Sequence, residues 1–223
     1  MFDDKITFGF RGRPDFKGTV MSHDELARPN LRIESKKMNI ESIMNVYGDS
    51  NAKNVLAAVA AAILLGMRKP NLLKGINELS AVKGRLEVTT LSEIILIDDT
   101  YNSNPASIDA ALSVLSKIKI YKHRILILGD MFELGANSKK LHKSLAHNIS
   151  KLKNCVVLLI GKNMTALFNE LSKDKNNVEY FTQRRFLNKY LSNNDLSGNT
   201  ILVKGSRGMK MEEFVETIRS KAA

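Results

Sequence analysis

One cysteine, Cys155, stands in the whole sequence of 223 residues. That excludes an internal disulfide and points to a reducing compartment, so a cytoplasmic location is expected. No apolar run approaches the roughly 20 residues that cross a bilayer as a helix. The longest, residues 55–67, is rich in alanine and interrupted by Gly66, so it reads as a core helix. Residues 1–5 carry two acids and no apolar stretch, which does not read as a signal peptide. No G-x-x-x-x-G-K-[ST] occurs, so the sequence lacks a Walker-type phosphate cradle. There is also no arginine-rich tract, no zinc-ligand spacing and no set of aromatics interleaved with basic residues. The net charge of +11 is therefore weighed by its distribution. Lys139, Lys140 and Lys143 fall on the polar face of a helix, and Lys151 and Lys153 flank a strand. Scattered cations of this kind read as solvated faces and a steering field for anionic ligands. Neither a nucleic-acid partner nor membrane insertion is expected.

With 43% hydrophobic and 26% charged residues the composition is that of a soluble globular protein. Residues 5–46 alternate short β-like stretches, at 5–10, 30–35 and 39–46, with polar turns, which reads as a meander without a core of its own. A nearly all-apolar helix is expected over 51–67, with Ser50 or Asn51 as its cap, and a second helix over 71–79. Lys83-Gly84-Arg85 has the composition of a hinge or linker. From Leu86 the pattern becomes regular. Strands are expected near 87–90, 93–97, 124–128, 155–160, 178–181 and 200–203, and helices near 105–118, 138–152, 164–172, 183–191 and 210–220. Such alternation argues for an α/β domain with a mostly parallel sheet and helices on both faces.

The densest polar cluster is Asp98-Asp99-Thr100-Tyr101-Asn102-Ser103-Asn104-Pro105. It follows Ile94-Ile95-Leu96-Ile97, a short β-branched run, and precedes Ile108, Ala111, Leu112, Leu115 and Ile118 at helical spacing. Asn104 suits an N-cap and Pro105 the first helical position. The cluster thus lies at the carboxyl end of a strand, where open α/β sheets bind ligands. It also reads as a capped βα turn with solvated acids. Side chains alternate along a strand, so Asp98 and Asp99 should diverge as the chain leaves the sheet. Asp130 and Glu133 follow the strand at 124–128, and paired carboxylates can hold an ammonium or take its proton. Lys204, Ser206 and Arg207 lie between the last strand and a helix, a position that suits an anionic group. His142, at the edge of an apolar helix face, reads as packed or capping rather than catalytic.

The cluster closely resembles the signature DDTYNANP of the UDP-N-acetylmuramoyl-tripeptide–D-alanyl-D-alanine ligases (MurF) of the Mur ligase family. Further segments resemble the same family in the same order. They are Lys83-Gly84-Arg85-Leu86-Glu87, Leu128-Gly129-Asp130-Met131-Phe132-Glu133-Leu134-Gly135 and Leu202-Val203-Lys204-Gly205-Ser206-Arg207-Gly208. Looser similarity extends upstream through 51–67. Asn51 and Asn54 resemble the asparagines of the family's HNxxN element, with Ser50 where the family usually has His.

The resemblance implies residues 1–82 as the last part of a central ATPase domain without its phosphate loop. It implies 83–87 as a linker and 88–223 as a C-terminal Rossmann-like ligase domain. It also implies ATP and Mg2+, with most metal ligands outside this sequence and none assigned here. The substrates would be UDP-N-acetylmuramoyl-tripeptide and D-alanyl-D-alanine, joined through an acyl phosphate, and this stretch alone would be inactive. Arg85 and Asp99 are the implied catalytic residues. Asn51, Asn54, Arg85, Asp99, Tyr101 and Asn102 would meet the nucleotide. Asp130, Glu133, Lys204, Ser206 and Arg207 would face the substrate. Asp98 would brace the turn, so that Asp99→Asn impairs turnover with the fold intact and Asp98→Asn lowers stability. A sister Mur-type ligase and a non-catalytic Rossmann-like binding module remain open alternatives.

Overall fold

The computed structural model describes residues 5–174 and 177–222; the reading of residues 1–4 as no leader lies outside them. The chain divides between Ala81 and Val82 into two compact units.

In the first unit, strands β1 (Phe8–Gly9), β2 (Phe16–His23), β3 (Pro29–Ser35) and β4 (Ile40–Ile43) form a sheet in the order β1-β2-β3-β4. The first pair is parallel and the other two are antiparallel. Helices α1 (Gly48–Leu64) and α2 (Lys69–Asn77) follow. Phe16, Leu31, Ile33 and Ile40 of the sheet pack with Val55, Leu56, Val59 and Ile63 of α1 and with Leu72 and Ile76 of α2. The expected meander is therefore a sheet with a core, and β2 is the strand the sequence pattern missed. Gly18 interrupts its run of side chains, yet a Cβ there would stand 2.9 Å from Leu56 Cδ2, so the bare glycine lets α1 close on the sheet. The expected cap is also corrected. Helix α1 starts at Gly48 after Tyr47, and Asn51 lies within it, its Nδ2 donating to Tyr47 O at 2.9 Å.

The second unit opens with an antiparallel pair, β5 (Glu87–Leu91) and β6 (Ile94–Asp99). It continues through α3 (Pro105–Lys117), β7 (His123–Gly129), α4 (Ser138–Ser144), α5 (Ala146–Ile149) and β8 (Cys155–Ile160). Then come α6 (Thr165–Leu171), β9 (Val178–Phe181), α7 (Arg184–Asn193), β10 (Asn199–Lys204) and α8 (Glu212–Ala222). The six strands run in the order β5-β6-β10-β7-β8-β9, all parallel except β5. This is the mostly parallel α/β sheet that the alternation predicts. The central strands are near-continuous apolar runs because both faces are covered. Leu96, Ile127, Leu158, Ile201 and Val203 meet Leu187 and Leu191 of α7 and Phe214, Val215 and Ile218 of α8. Their alternates, among them Ile95, Ile97 and Leu202, are buried toward the other side, where α3 packs on β10.

The last strand, β10, enters between β6 and β7, which come earlier in the chain. The order thus changes direction at that point, and the crevice outside the carboxyl ends of those three strands is the position such sheets use for ligands.

Candidate active site

Four segments meet at that edge. The loop after β6 leads into α3, where Asn104 Oδ1 accepts the Ser107 N–H at 2.8 Å and Ser107 Oγ accepts the Asn104 N–H at 3.0 Å. Asn104 is thus the N-cap and Pro105 opens the helix, as the spacing predicts. The two acids before that loop part as strand alternation requires. Asp98 continues the Ile94 and Leu96 face, whereas Asp99 continues the face of Ile95 and Ile97.

Asp98 is buried, and its Oδ1 accepts both the Thr100 N–H at 3.2 Å and the Thr100 hydroxyl at 2.7 Å. Burial pushes its carboxyl above the ordinary 3.8, outweighing the Thr100 hydrogen bonds that pull it down. An acid raised in the folded state contributes stability that is present below its unfolded value and is lost as the pH rises through the folded one. Asparagine keeps an acceptor for Thr100 and never ionises. Asp98→Asn should therefore gain stability relative to the native chain as the pH rises from 3.8 through the raised value. This adds a pH dependence to the expectation that the variant is less stable. Urea unfolding across pH 3–8 checks it (roughly the span of carboxylate titration), and a pH-independent difference would count against it.

Asp99 is held from two sides. Its Oδ2 lies 2.5 Å from Lys204 Nζ, and its Oδ1 accepts the Leu86 N–H at 3.0 Å. Lys204 is not in the loop where the sequence places it. It is the last residue of β10, in register with Asp99, and only 1% exposed. Its Nζ also donates to Asn102 O at 2.8 Å. Burial holds the ammonium below the usual lysine value even though Asp99 pulls it up. The sequence missed this pair because its members are 105 residues apart.

The turn at residues 82–86 docks against the same strand end. Besides the Leu86 contact, Gly84 O accepts the Tyr101 N–H at 2.9 Å. Arg85 is exposed, with its guanidinium carbon 3.9 Å from the centroid of the Tyr101 ring. Arg85, Asp99, Tyr101 and Asn102 are thereby gathered at one edge.

The loop after β7 brings Asp130 and Glu133. Asp130 is buried, and Oδ1 accepts the Asn163 and Met164 N–H groups, each at 3.0 Å. Its second oxygen lies 3.2 Å from the Asn163 nitrogen. It caps the helical turn before α6, close against Gly161, where a Cβ would stand 2.4 Å from Oδ1 and φ is +119°. Glu133 is exposed at a left-handed φ of +61°. The two acids thus occupy different settings rather than an open pair. His142 is fully buried. Its Nδ1 lies 2.8 Å from Ser138 O and so carries the proton, while Nε2 accepts the Met131 N–H at 3.0 Å. It holds the loop, and its chemistry is structural.

Ser206 ties the three loops together. Its Oγ accepts the Phe132 N–H at 2.8 Å and donates to Ser103 O at 3.4 Å, and its own N–H donates to Asp130 O at 3.0 Å. Arg207 stays largely exposed, 3.7 Å from Glu212. Ser103 Oγ is buried without a hydrogen-bond partner among the described residues. In the first unit, Asn51 and Asn54 line an apolar cleft of about 430 Å3 between α1 and α2.

Comparison with known proteins adds to this geometry. Residues 84–207 match the family described as Mur ligase, glutamate ligase domain. Over 193 residues the chain is 33% identical to the UDP-N-acetylmuramoyl-tripeptide–D-alanyl-D-alanine ligase of Bacillus subtilis, covering 83% of this chain and 42% of that protein. The enzyme of the same name from Buchnera aphidicola is 37% identical over 185 residues, covering 82% of this chain and 39% of its own length. A crystal structure of MurF from Acinetobacter baumannii superposes with a TM-score of 0.85 at 25% identity, covering 97% of this chain and 47% of that one. The chain spans about two fifths of the length of these two curated relatives.

Proposed function

Because the chain belongs to the Mur ligase family, we propose that it forms part of an ATP-dependent ligase of peptidoglycan precursor synthesis, one that joins D-alanyl-D-alanine to UDP-N-acetylmuramoyl-tripeptide. The observation that carries this reading is spatial. The segments of family-like sequence, far apart in the chain, meet at the carboxyl ends of β6, β10 and β7, tied by Lys204 and Ser206. On this reading residues 88–223 are the ligase domain, 83–87 the linker and 1–82 the closing part of the central ATPase domain.

In the reaction, the terminal carboxylate of the tripeptide takes the γ-phosphoryl group of ATP, releasing ADP and leaving an acyl phosphate. The dipeptide amine then adds to the acyl carbon, loses a proton, and the tetrahedral intermediate expels inorganic phosphate. Arg85 offers an exposed planar fork of donors that suits phosphate oxygens, backed by the Tyr101 ring. Arg207, with the backbone of the 205–208 loop, suits the carboxylate of the dipeptide, and Glu133 its ammonium. Asn51 and Asn54 are proposed as nucleotide contacts of the first unit, where an apolar cleft with two amides suits a base. No three metal-ligating side chains come together among the described residues. The family reading implies Mg2+ with most of its ligands outside this sequence, and none of the residues named here is proposed as a ligand. Among those residues no helix is long and apolar enough to cross a membrane, and the reading carries the cytoplasmic location expected above.

The 223 residues contain no phosphate loop, so the purified chain should release no ADP from ATP with both substrates present. A chimera in which it replaces the matching part of the Bacillus subtilis relative should release ADP, and only when both substrates are supplied. Turnover by the chain alone, or a folded chimera whose ADP release ignores D-alanyl-D-alanine, overturns the reading.

A further inference from the structure

We propose that Asp99 and Lys204 together position Arg85 and that Lys204 is not a ligand for substrate: Asp99 seats the arginine through the Leu86 N–H, and the ammonium decides which side-chain atom at position 99 faces that N–H. The ammonium is 1% exposed, and its donors are directed to Asp99 Oδ2 at 2.5 Å, Asn102 O at 2.8 Å and, more weakly, Asp99 O at 3.5 Å. A group so enclosed has no donor left to offer an incoming molecule. Its grip fixes the carboxylate plane, and Oδ1 then meets the Leu86 N–H at 3.0 Å.

That contact matters because of the backbone it holds. Leu86 has φ +49°, a left-handed conformation that an L side chain keeps only when its surroundings impose it. Arg85 lies between two docked points, Gly84 O on the Tyr101 N–H and Leu86 N–H on Asp99. Between them its guanidinium comes to rest over the Tyr101 ring. The line of action runs from the end of β10 through β6 to the turn at 82–86. Through Ser206, two residues on, the same strand end also grips the loops at Ser103 and Phe132. Lys204 thus joins the arginine's seat to the loops on the other flank of the site.

What Arg85 is seated for rests on the ligase reading; the seating itself is measurable without turnover. Two reporters in the 223-residue chain follow it by NMR: exchange protection of the Leu86 amide, and the shift of the Arg85 Nε–H caused by the Tyr101 ring. Asparagine at position 99 has one oxygen where two are needed. With Lys204 present that oxygen faces the ammonium, and the amide nitrogen faces the Leu86 N–H, donor against donor. Asp99→Asn should therefore reduce Leu86 protection at least about tenfold and move the Arg85 signal to its free position, while Leu126 in β7 stays protected. Adding Lys204→Met frees the asparagine oxygen for Leu86 and should restore both reporters, a rescue that plain packing would not produce. Unchanged reporters in Asp99→Asn, or no recovery in the double variant, overturn the proposal. Should Asp99→Asn fail to fold, two uncharged pairs decide it. Asp99→Asn/Lys204→Met should protect Leu86 and Asp99→Leu/Lys204→Met should not, and equal protection in both overturns the proposal. These outcomes are read whether or not the chimera turns over, so a failed ligase reading leaves them interpretable.

Discussion

Lys204→Met should lower the stability of the second unit by about 3 kcal/mol, the largest loss expected from any single change at the site. Methionine matches the length of the lysine stem and can fill its place, so lost volume is not the cause. The cause is Asp99, left with its carboxylate in a setting 8% exposed and without the cation that faced it. Breaking a buried pair from one side typically costs about 3–5 kcal/mol. The lower end applies because the Leu86 N–H still solvates one oxygen. For a unit of this size that corresponds to a fall of roughly 6–12 °C in the melting temperature. Removing both charges is a different matter. Burial already disfavours the Lys204 ammonium, and a buried pair replaced as a whole is often nearly neutral. Asp99→Asn added to Lys204→Met should therefore regain about 2 kcal/mol of the loss. Urea melts of the four variants measure both steps. A lysine reaching into solvent for substrate would show neither, and a Lys204→Met melt within about 0.5 kcal/mol of the native chain would remove the argument.

The same pair shows where sequence reasoning reaches its limit. The sheet was legible because buried parallel strands are written as apolar runs between turns, and the strands at Cys155–Ile160 and Val178–Phe181 fall where the pattern puts them. The capped start of α3 was legible for the same local reason. Lys204 was not. A lysine after Leu202 and Val203 reads as the first residue of a loop, and only the register of β10 against β6 keeps it inside the sheet beside Asp99. Asp130 misled similarly. Its sequence neighbours suggest an open acid pair with Glu133, whereas its hydrogen bonds come from Asn163 and Met164, 33 and 34 residues on. Strand β2 was hidden by Gly18 and by a register shift between Val20 and Ser22, which break the alternation that marks a half-buried strand. The helix expected over 138–152 is divided at Leu145, after His142 turns inward to Met131 and Ser138. For Lys204 and Asp130 a contact distant in sequence overrides a local pattern.

Arg85→Lys should lower kcat/KM for ATP by about 100-fold in the chimeric ligase, although the charge is kept. The guanidinium is planar and its carbon lies 3.9 Å from the centroid of the Tyr101 ring, so the tyrosine backs an exposed group whose N–H edge can turn to a ligand. That edge can meet two phosphate oxygens at once. An ammonium at the end of a flexible stem is a point charge. Whether it sits over the ring or reaches forward, it cannot present two parallel donors from a fixed plane. The loss should appear mostly in kcat if the fork is used as charge builds on the transferring phosphoryl group, and mostly in KM if it serves nucleotide binding alone. Stability supplies the control. Arg85 is exposed, and the docking of its turn rests on the backbone groups of Gly84 and Leu86. The melting temperature of the variant should therefore stay within about 2 °C of the native chain. Steady-state kinetics with ATP varied, beside a thermal melt of the same preparation, give both numbers. Unaltered kinetics in the lysine variant would show that charge alone is needed there, and a melt that falls with the activity would make Arg85 part of the fold's support.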